Sequence, residues 1–296
     1  MQINKYSTGK SSNIGQPFSI SGRHLTKLYI TNNILELVTV QKAVTSPPPC
    51  RRVSKTHYVD LQTGEVLEYK KKMARSANGS GIIKSCMALR RIVNNNFVGD
   101  DSELHICLTY ATDMRDYEKA CIDSRRFLKI FRYHYPSEYI RIIEPQGNGR
   151  WHIHLLIKKM GGQLSVNYEH VRALWGMGNV NVSRLPFADN YGAYFSARLT
   201  DIDALEESEL QQWHPAAKKQ ISKGSRLKFY PPHFKLYTTS RGIMKPQPLK
   251  MSYAEAQKII GDALLVYTYT KKIVREDDGK SVEVNRIFYE QYNKKY

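Results

Sequence analysis

The feature that most constrains this chain is the order in which two hydrophobic periodicities follow each other between residues 104 and 199. Apolar residues that alternate with polar ones predict strands, whereas apolar residues at intervals of three and four predict helices. These patterns give the order β-α-β-β-α-β, followed by a short helix. The predicted strands cover 104–110, 139–144, 150–158 and 179–185, and the predicted helices cover 117–135, 168–175 and 191–199.

This order of elements is that of a ferredoxin-like, or RRM-like, split β-α-β fold. We therefore predict an α+β protein whose central domain, residues 100–205, has an antiparallel sheet backed by helices on one face. Residues 1–99 are expected to form a basic, β-rich N-terminal region that ends in a helix, with hairpin turns at Asn32-Asn33 and Thr63-Gly64. Residues 206–296 are expected to form a basic C-terminal extension.

The distribution of charge indicates the kind of partner. The 296 residues include 45 Lys and Arg but only 27 Asp and Glu, which gives a formal net charge of +18. The excess lies in the flanks: residues 210–250 contain nine basic residues and no acidic one, while residues 100–209 are slightly acidic. Basic surfaces beside an acidic centre predict that a polyanion binds next to a site for a cation, and nucleic acid is the obvious polyanion.

Several classes of protein are disfavoured by the sequence. No segment approaches the roughly 18 consecutive apolar residues of a membrane span, and the first ten residues lack the apolar core of a signal peptide. We therefore expect a cytoplasmic protein without a membrane partner. The four cysteines are far apart and form no CxxC pair, which favours reduced thiols over disulfides or a zinc ribbon. No Walker phosphate loop is present, so ATP-driven chemistry is not expected.

His152 and His154 are at the centre of the predicted site. Side chains alternate across a strand, so both imidazoles of this His-x-His point to the same face. Glu144 ends the preceding predicted strand, and the turn at 145–149 would bring its carboxylate within reach of both rings. Two imidazole nitrogens and one carboxylate suit Mn²⁺ or Mg²⁺ bound to a phosphate, and also Zn²⁺. The alternative is a pair of exposed sheet histidines without a ligand.

The central region contains four motifs in a fixed order: LTYA at 108–111, WHIHLLI at 151–157 with Glu144 upstream, LWGMGNVNVSRL at 174–185, and NYGAYFSARL at 190–199. In this order they resemble the motifs of HUH endonucleases, in particular the rolling-circle replication initiators of plasmids and of the filamentous-phage gene II type. Three further segments resemble parts of replication proteins from Gram-positive mobile elements, so that the resemblance spans most of residues 56–246. They are THYVDLQTGEV at 56–66, LRRIVNNNF at 89–97 and KLYTTSRGIMKP at 235–246.

The resemblance implies metal-assisted transesterification on single-stranded DNA, with a 5′-phosphotyrosine intermediate and a free 3′-hydroxyl that primes synthesis. It implies that Glu144, His152 and His154 bind a divalent metal, Mn²⁺ or Mg²⁺. By position, Tyr194 falls on the nucleophile of the family. Tyr191, three residues earlier, is either a second nucleophile or a packing residue.

The sequence departs from the family pattern after the tyrosine. Ala197 stands where a lysine is expected, and the adjacent Arg198 stands where a second tyrosine would fall. Arg198 can stabilise phosphate charge, but its pKa is too high for it to donate a proton readily. Both the leaving-group step and an alternating two-tyrosine mechanism are therefore open.

Cations near aromatic side chains supply the predicted DNA contacts, because aromatic faces between positive charges suit unstacked bases. Arg90 and Arg91 are expected on the edge of a helix that faces phosphates. The remaining candidates lie in the C-terminal extension: Arg226, Lys228, Tyr230, Lys235, Arg241 and Lys245.

The sequence thus predicts an enzyme that nicks and joins single-stranded or hairpin origin DNA in a bacterial host and so initiates rolling-circle replication of a plasmid, phage or integrative element. The resemblance implies a host helicase, a single-strand binding protein and a polymerase as partners. An HUH transposase or relaxase is an alternative with the same site. A non-catalytic, RRM-like nucleic-acid-binding protein is the alternative from another class, and it would form no covalent product.

Overall fold

The computed structural model describes residues 20–43, 50–69, 79–186, 190–193, 229–231, 234–277 and 280–295. Within these ranges the strands are β1 Leu25–Thr31, β2 Ile34–Val40, β3 Cys50–Arg52, β4 His57–Asp60, β5 Val66–Glu68, β6 Glu103–Leu108, β7 Glu138–Pro145, β8 Trp151–Lys158, β9 Val180–Arg184, β10 Tyr237–Thr239, β11 Leu249–Ser252, β12 Leu264–Asp277 and β13 Lys280–Asn293. The helices are α1 Gly79–Asn96, α2 Tyr117–His134, α3 Tyr168–Trp175 and α4 Tyr253–Ile260. None of the helices in the described ranges is long and apolar enough to cross a membrane.

The central region folds into the elements that the periodicities predict, in the predicted order from β6 to β9. Its strands form one sheet in the order β10-β7-β8-β6-β9, and every neighbouring pair is antiparallel. The predicted α+β class with an antiparallel sheet is therefore confirmed. Of the last predicted helix, 191–199, only residues 191–193 are described, and they are helical.

One face of the central sheet packs against α2 and α3. Helix α2 begins after Asp116, whose carboxylate caps the helix by accepting from the backbone N–H of Lys119. Its Phe127 and Phe131 are buried in the core. From β7, the buried Arg141 donates to Ser124 Oγ on α2 at 2.8 Å. These contacts place the helices behind the sheet, as the order of elements predicts.

Helix α1 lies between the central sheet and a second sheet. The second sheet has the order β11-β1-β2-β13-β12, so strands from both ends of the chain pair within it. From α1, the carbonyl of Asn96 accepts from Lys158 Nζ of the central sheet at 2.7 Å. Arg91 of the same helix pairs with Glu36 of the second sheet at 2.6 Å. The assignment of residues 1–99 and 206–296 to separate regions does not anticipate this shared sheet, and the domain boundaries stay a prediction.

The two hairpins predicted in the N-terminal region are present. Asn32 adopts the left-handed conformation, with a φ of +52°, where β1 turns into β2. The turn between β4 and β5 includes Gly64, with a φ of +75°. A third strand, β3, joins the second hairpin to make a small three-stranded sheet.

Candidate functional site

Glu144, His152 and His154 lie together at the end of two paired strands. Strands β7 and β8 are antiparallel, with Glu144 opposite His152 in the register. Oε1 of Glu144 is 2.7 Å from Nε2 of His152 and 3.1 Å from Nε2 of His154. One ligand atom from each residue lies within 4.8 Å of the others. The predicted convergence of the carboxylate and the two imidazoles is therefore confirmed, and the pair of free-standing sheet histidines is not what the structure contains.

The carboxylate of this cluster is buried and ionised. Only 4% of Glu144 is exposed, and His152 is nearly as buried at 9%. Burial by itself would raise the pKa of Glu144, but hydrogen bonds and charge from His152 and His154 outweigh it and lower the pKa to about 2. A buried carboxylate anion that faces two imidazole nitrogens is well suited to attract a cation.

The donor set fits a divalent metal ion. It offers two imidazole nitrogens and one carboxylate oxygen, and this set is compatible with Mn²⁺, Mg²⁺ or Zn²⁺ without selecting one of them. Among the described residues, the buried Nδ1 of His152 has no hydrogen-bond partner. The structure thus has a three-residue cluster that could hold a metal ion, and the identity of the ion stays a prediction.

His105 is a neighbour of this cluster that the sequence interpretation did not include. It lies on β6, and its Nε2 is 2.9 Å from Nδ1 of His154. The alternation of LHICLTY predicts that His105 and Cys107 share a face. That β6 lies directly beside β8 follows only from the pairing of strands about 50 residues apart, so no local signal identifies this contact.

Tyr191 is buried, and the segment that carries it is docked on α1. Only 4% of Tyr191 is exposed, and it belongs to the main hydrophobic core. The backbone N–H of Gly192 donates to Oδ1 of Asn94 on α1 at 2.7 Å. Tyr194 and Arg198 lie outside the described residues. Their placement relative to the histidines therefore stays a prediction.

Arg90 and Arg91 use their guanidinium groups for contacts within the protein. Arg90 is 8% exposed and contacts Gln291 and Glu36. Arg91 pairs with Glu36 and lies 3.6 Å above the ring centroid of Tyr29. Both arginines thus contact the second sheet, and a further role in DNA binding stays a prediction.

The described candidates in the C-terminal extension fall into two groups. Tyr230 is buried, and its ring packs against Trp151 and Phe234 rather than facing solvent. This aromatic cluster supports the start of β8, directly before His152. The cations Lys235, Arg241 and Lys245 are exposed. Arg226 and Lys228 lie outside the described residues.

Comparison with known proteins gives one match. Residues 103–203 match the family model of the replication-associated protein ORF2/gene II protein. No curated protein and no solved structure matches the chain. The matched segment is about a third of the chain and contains Glu144, His152, His154, Tyr191 and Tyr194. This similarity supports a role in replication initiation and implies DNA binding.

Proposed function

We propose that this protein is an HUH endonuclease that nicks and joins single-stranded origin DNA and so initiates rolling-circle replication. The observation that carries the proposal is the convergence of Glu144, His152 and His154. This cluster lies inside the segment that matches a replication-associated family. A His-x-His strand with a carboxylate on the next strand is what a nuclease of this class needs to hold a metal ion.

In the proposed mechanism Glu144, His152 and His154 hold the divalent cation, whose contribution when bound is to polarise the scissile phosphate and offset its developing charge. The chain supplies a rigid frame for these ligands, because all three project from hydrogen-bonded strands. Burial of Glu144 keeps water away from the carboxylate and strengthens its attraction for a cation.

The proposed nucleophile is the phenolic oxygen of Tyr194. Its attack forms a bond to phosphorus, breaks the bond between phosphorus and the 3′-oxygen, and leaves a 3′-hydroxyl that takes up a proton. One phosphodiester replaces another, so the strand can later be rejoined without a nucleoside triphosphate. Arg198 is assigned to the phosphate charge, and Tyr191 is the alternative nucleophile.

The arrangement of the central sheet also supports this proposal. Counted along the β-α-β-β-α-β unit, the strands lie in the order fourth, first, third, second, with all neighbours antiparallel. This is the order expected of a ferredoxin-like sheet, which is the proposed fold of the nuclease domain. The basic flanks, in a chain of net charge +18, supply electrostatic affinity for single-stranded or hairpin DNA. A helicase, a single-strand binding protein and a polymerase of a bacterial host are the proposed partners.

The test is formation of a covalent protein–DNA adduct. The full chain is incubated with Mn²⁺ or Mg²⁺ and with labelled single strands that tile the DNA flanking its own gene, and the products are separated on a denaturing protein gel. We expect a labelled band that requires metal and is lost in Tyr194→Phe and in His152→Ala. Tyr133→Phe is the matched control, since Tyr133 is an exposed tyrosine of α2.

Each other outcome assigns a different function or residue. Loss of the adduct only in Tyr191→Phe would move the nucleophile to Tyr191. Nicking at the ends of a mobile element or at a transfer origin would favour the transposase or the relaxase. Metal-independent binding of every strand without a covalent product would overturn the proposal in favour of the non-catalytic binding protein.

A further inference from the structure

We propose that His105 is a positioning residue of the metal centre, which holds His154 in the orientation that a cation requires. The inference rests on the proposed function, because it concerns the same cluster. His105 comes from β6, a strand that contributes none of the three candidate ligands.

Both ring nitrogens of His154 face a partner. Nδ1 lies 2.9 Å from Nε2 of His105, and Nε2 lies 3.1 Å from Oε1 of Glu144. The planes of the two imidazoles are inclined by only 21°, with ring centroids 5.2 Å apart. A line of three side chains thus crosses three neighbouring strands, from β6 through β8 to β7. Two contacts on opposite sides of the ring fix the direction in which Nε2 of His154 points.

The register explains how these side chains meet. Cys107 of β6 lies opposite His154, and His105 lies opposite Leu156. His105 is therefore the diagonal neighbour of His154 on the same face, at a separation that a long side chain can span. A change of register by one residue would move His105 to the other face of the sheet and remove the contact.

An imidazole suits this position because it can both donate and accept a hydrogen bond. A His154 ring that offers Nε2 to a cation carries its proton on Nδ1, and Nε2 of His105 can accept that proton in a hydrogen bond. Without a cation, Nε2 of His154 can instead donate to Glu144 while Nδ1 accepts from His105. A carboxylate or a backbone carbonyl in place of His105 could only accept. His105 thus satisfies His154 in both situations.

His152 offers a contrast within the same cluster. Its Nε2 faces Glu144, but its buried Nδ1 has no hydrogen-bond partner among the described residues. The orientation of His152 therefore depends on packing, whereas that of His154 depends on His105. Loss of His105 should accordingly act on the metal through His154.

The experiment measures Mn²⁺ binding to the full chain by titration calorimetry. It compares two amide variants that differ in reach. In His105→Gln the side-chain amide would end close to the position that Nε2 occupies, whereas in His105→Asn it ends one atom short.

We expect His105→Asn and His105→Ala to weaken Mn²⁺ binding by roughly 10- to 100-fold, as removal of such partners of metal ligands does. His105→Gln should retain most of the affinity. The matched control is His170→Ala, because His170 is also half-buried and also makes one hydrogen bond of 2.9 Å, to Tyr135 at another place. Melting temperatures without metal should fall by similar amounts in the two alanine variants, while only His105→Ala loses metal affinity.

The inference is overturned if His105→Asn binds Mn²⁺ like the unmodified protein, or if His170→Ala weakens binding as much as His105→Ala. His154→Ala separates this failure from failure of the site itself. If His154→Ala also binds normally, the cation is not held by this cluster, and both proposals fail. If metal binding depends on His105 but no DNA adduct forms, the positioning role stands and the nicking function does not.

Discussion

At the scale of single residues, Glu144 links the acid–base properties of the site to the stability of the fold. It is buried against two imidazoles, whose hydrogen bonds and charge outweigh the effect of burial on its pKa. A buried partner of this kind is costly to remove, because the groups left behind lose their compensation. The site should therefore contribute to folding stability in the absence of metal.

Glu144→Gln tests this contribution through its pH dependence. The pKa of Glu144 is lowered from 4.5 to about 2, so its stabilising effect is present above pH 4.5 and is lost as the pH falls towards 2. The pH-dependent part of the difference in unfolding free energy between the unmodified protein and the variant should reach about 3 kcal/mol at neutral pH. Urea unfolding between pH 2.5 and 7 measures it.

The control for that experiment is Glu118→Gln, which removes an exposed carboxylate in the first turn of α2. It should cost only a few tenths of a kcal/mol throughout the range. A difference for Glu144→Gln that stays constant from pH 7 to pH 2.5 would contradict the lowered pKa.

At the scale of elements, α1 holds the segment that contains Tyr191 against the core. Gly192 approaches this helix so closely that an added Cβ would lie 2.3 Å from the carbonyl oxygen of Arg90 and 2.8 Å from Oδ1 of Asn94. Only glycine fits at this contact without a shift of the backbone. The position of the following residues, including Tyr194, therefore starts from a fixed point.

Gly192→Ala is expected to displace this segment from α1 and to cost about 1–3 kcal/mol of stability, as overpacking does. Yield of the covalent DNA adduct should fall, while Mn²⁺ affinity should not change because the ligands lie on β7 and β8. Gly147→Ala is the control, since a Cβ at Gly147 meets nothing within 4 Å. Full adduct yield in Gly192→Ala would show that the docking is not needed for attack.

The contact of α1 with the second sheet gives a separate prediction. Arg91 and Glu36 are each about 12% exposed at the side chain, so their ion pair is only weakly screened. A double-mutant cycle of Arg91→Ala and Glu36→Ala should give a coupling energy of about 1 kcal/mol or more. The exposed pair of Arg172 and Glu169 on α3 should give less than about 0.5 kcal/mol. Equal coupling in the two pairs would argue against a structural role of Arg91.

At the scale of the whole molecule, positive charge and sheet pairing act together. Strands β1 and β2 pair with β11 and β13, so the two basic flanks share one sheet although about 200 residues separate them. The exposed cations Lys235, Arg241 and Lys245 lie in the segment next to the central sheet, around β10. A chain of net charge +18 should therefore bind single-stranded DNA with a marked dependence on salt.

Charge removal at this site tests where the DNA lies. A variant with Lys235, Arg241 and Lys245 all changed to Gln should reduce the slope of log affinity against log salt by about 2, or roughly 0.7 for each phosphate that is no longer neutralised. The control changes Lys250, Lys258 and Lys294 to Gln, which removes the same charge from other exposed positions. Fluorescence anisotropy with a labelled single strand measures both slopes. Equal reductions would mean that affinity follows net charge alone.

The sequence by itself determined the parts of this protein that depend on neighbours along the chain. The period of two in β8 put His152 and His154 on one face, and the short turn at 145–149 put Glu144 beside them. The cap at Asp116 and the hairpin turn at Asn32 follow from the conformations those residue types favour. These features could be predicted because each depends on contacts within about ten residues.

Only the tertiary structure decided which strands and helices meet. It placed His105 against His154, paired strands from both ends of the chain, and turned Arg90 and Arg91 towards the second sheet. It also buried Tyr191, for which the sequence allowed either packing or catalysis. Periodicity fixes the face on which a side chain lies but not the strand that lies beside it, because that choice depends on packing between distant segments.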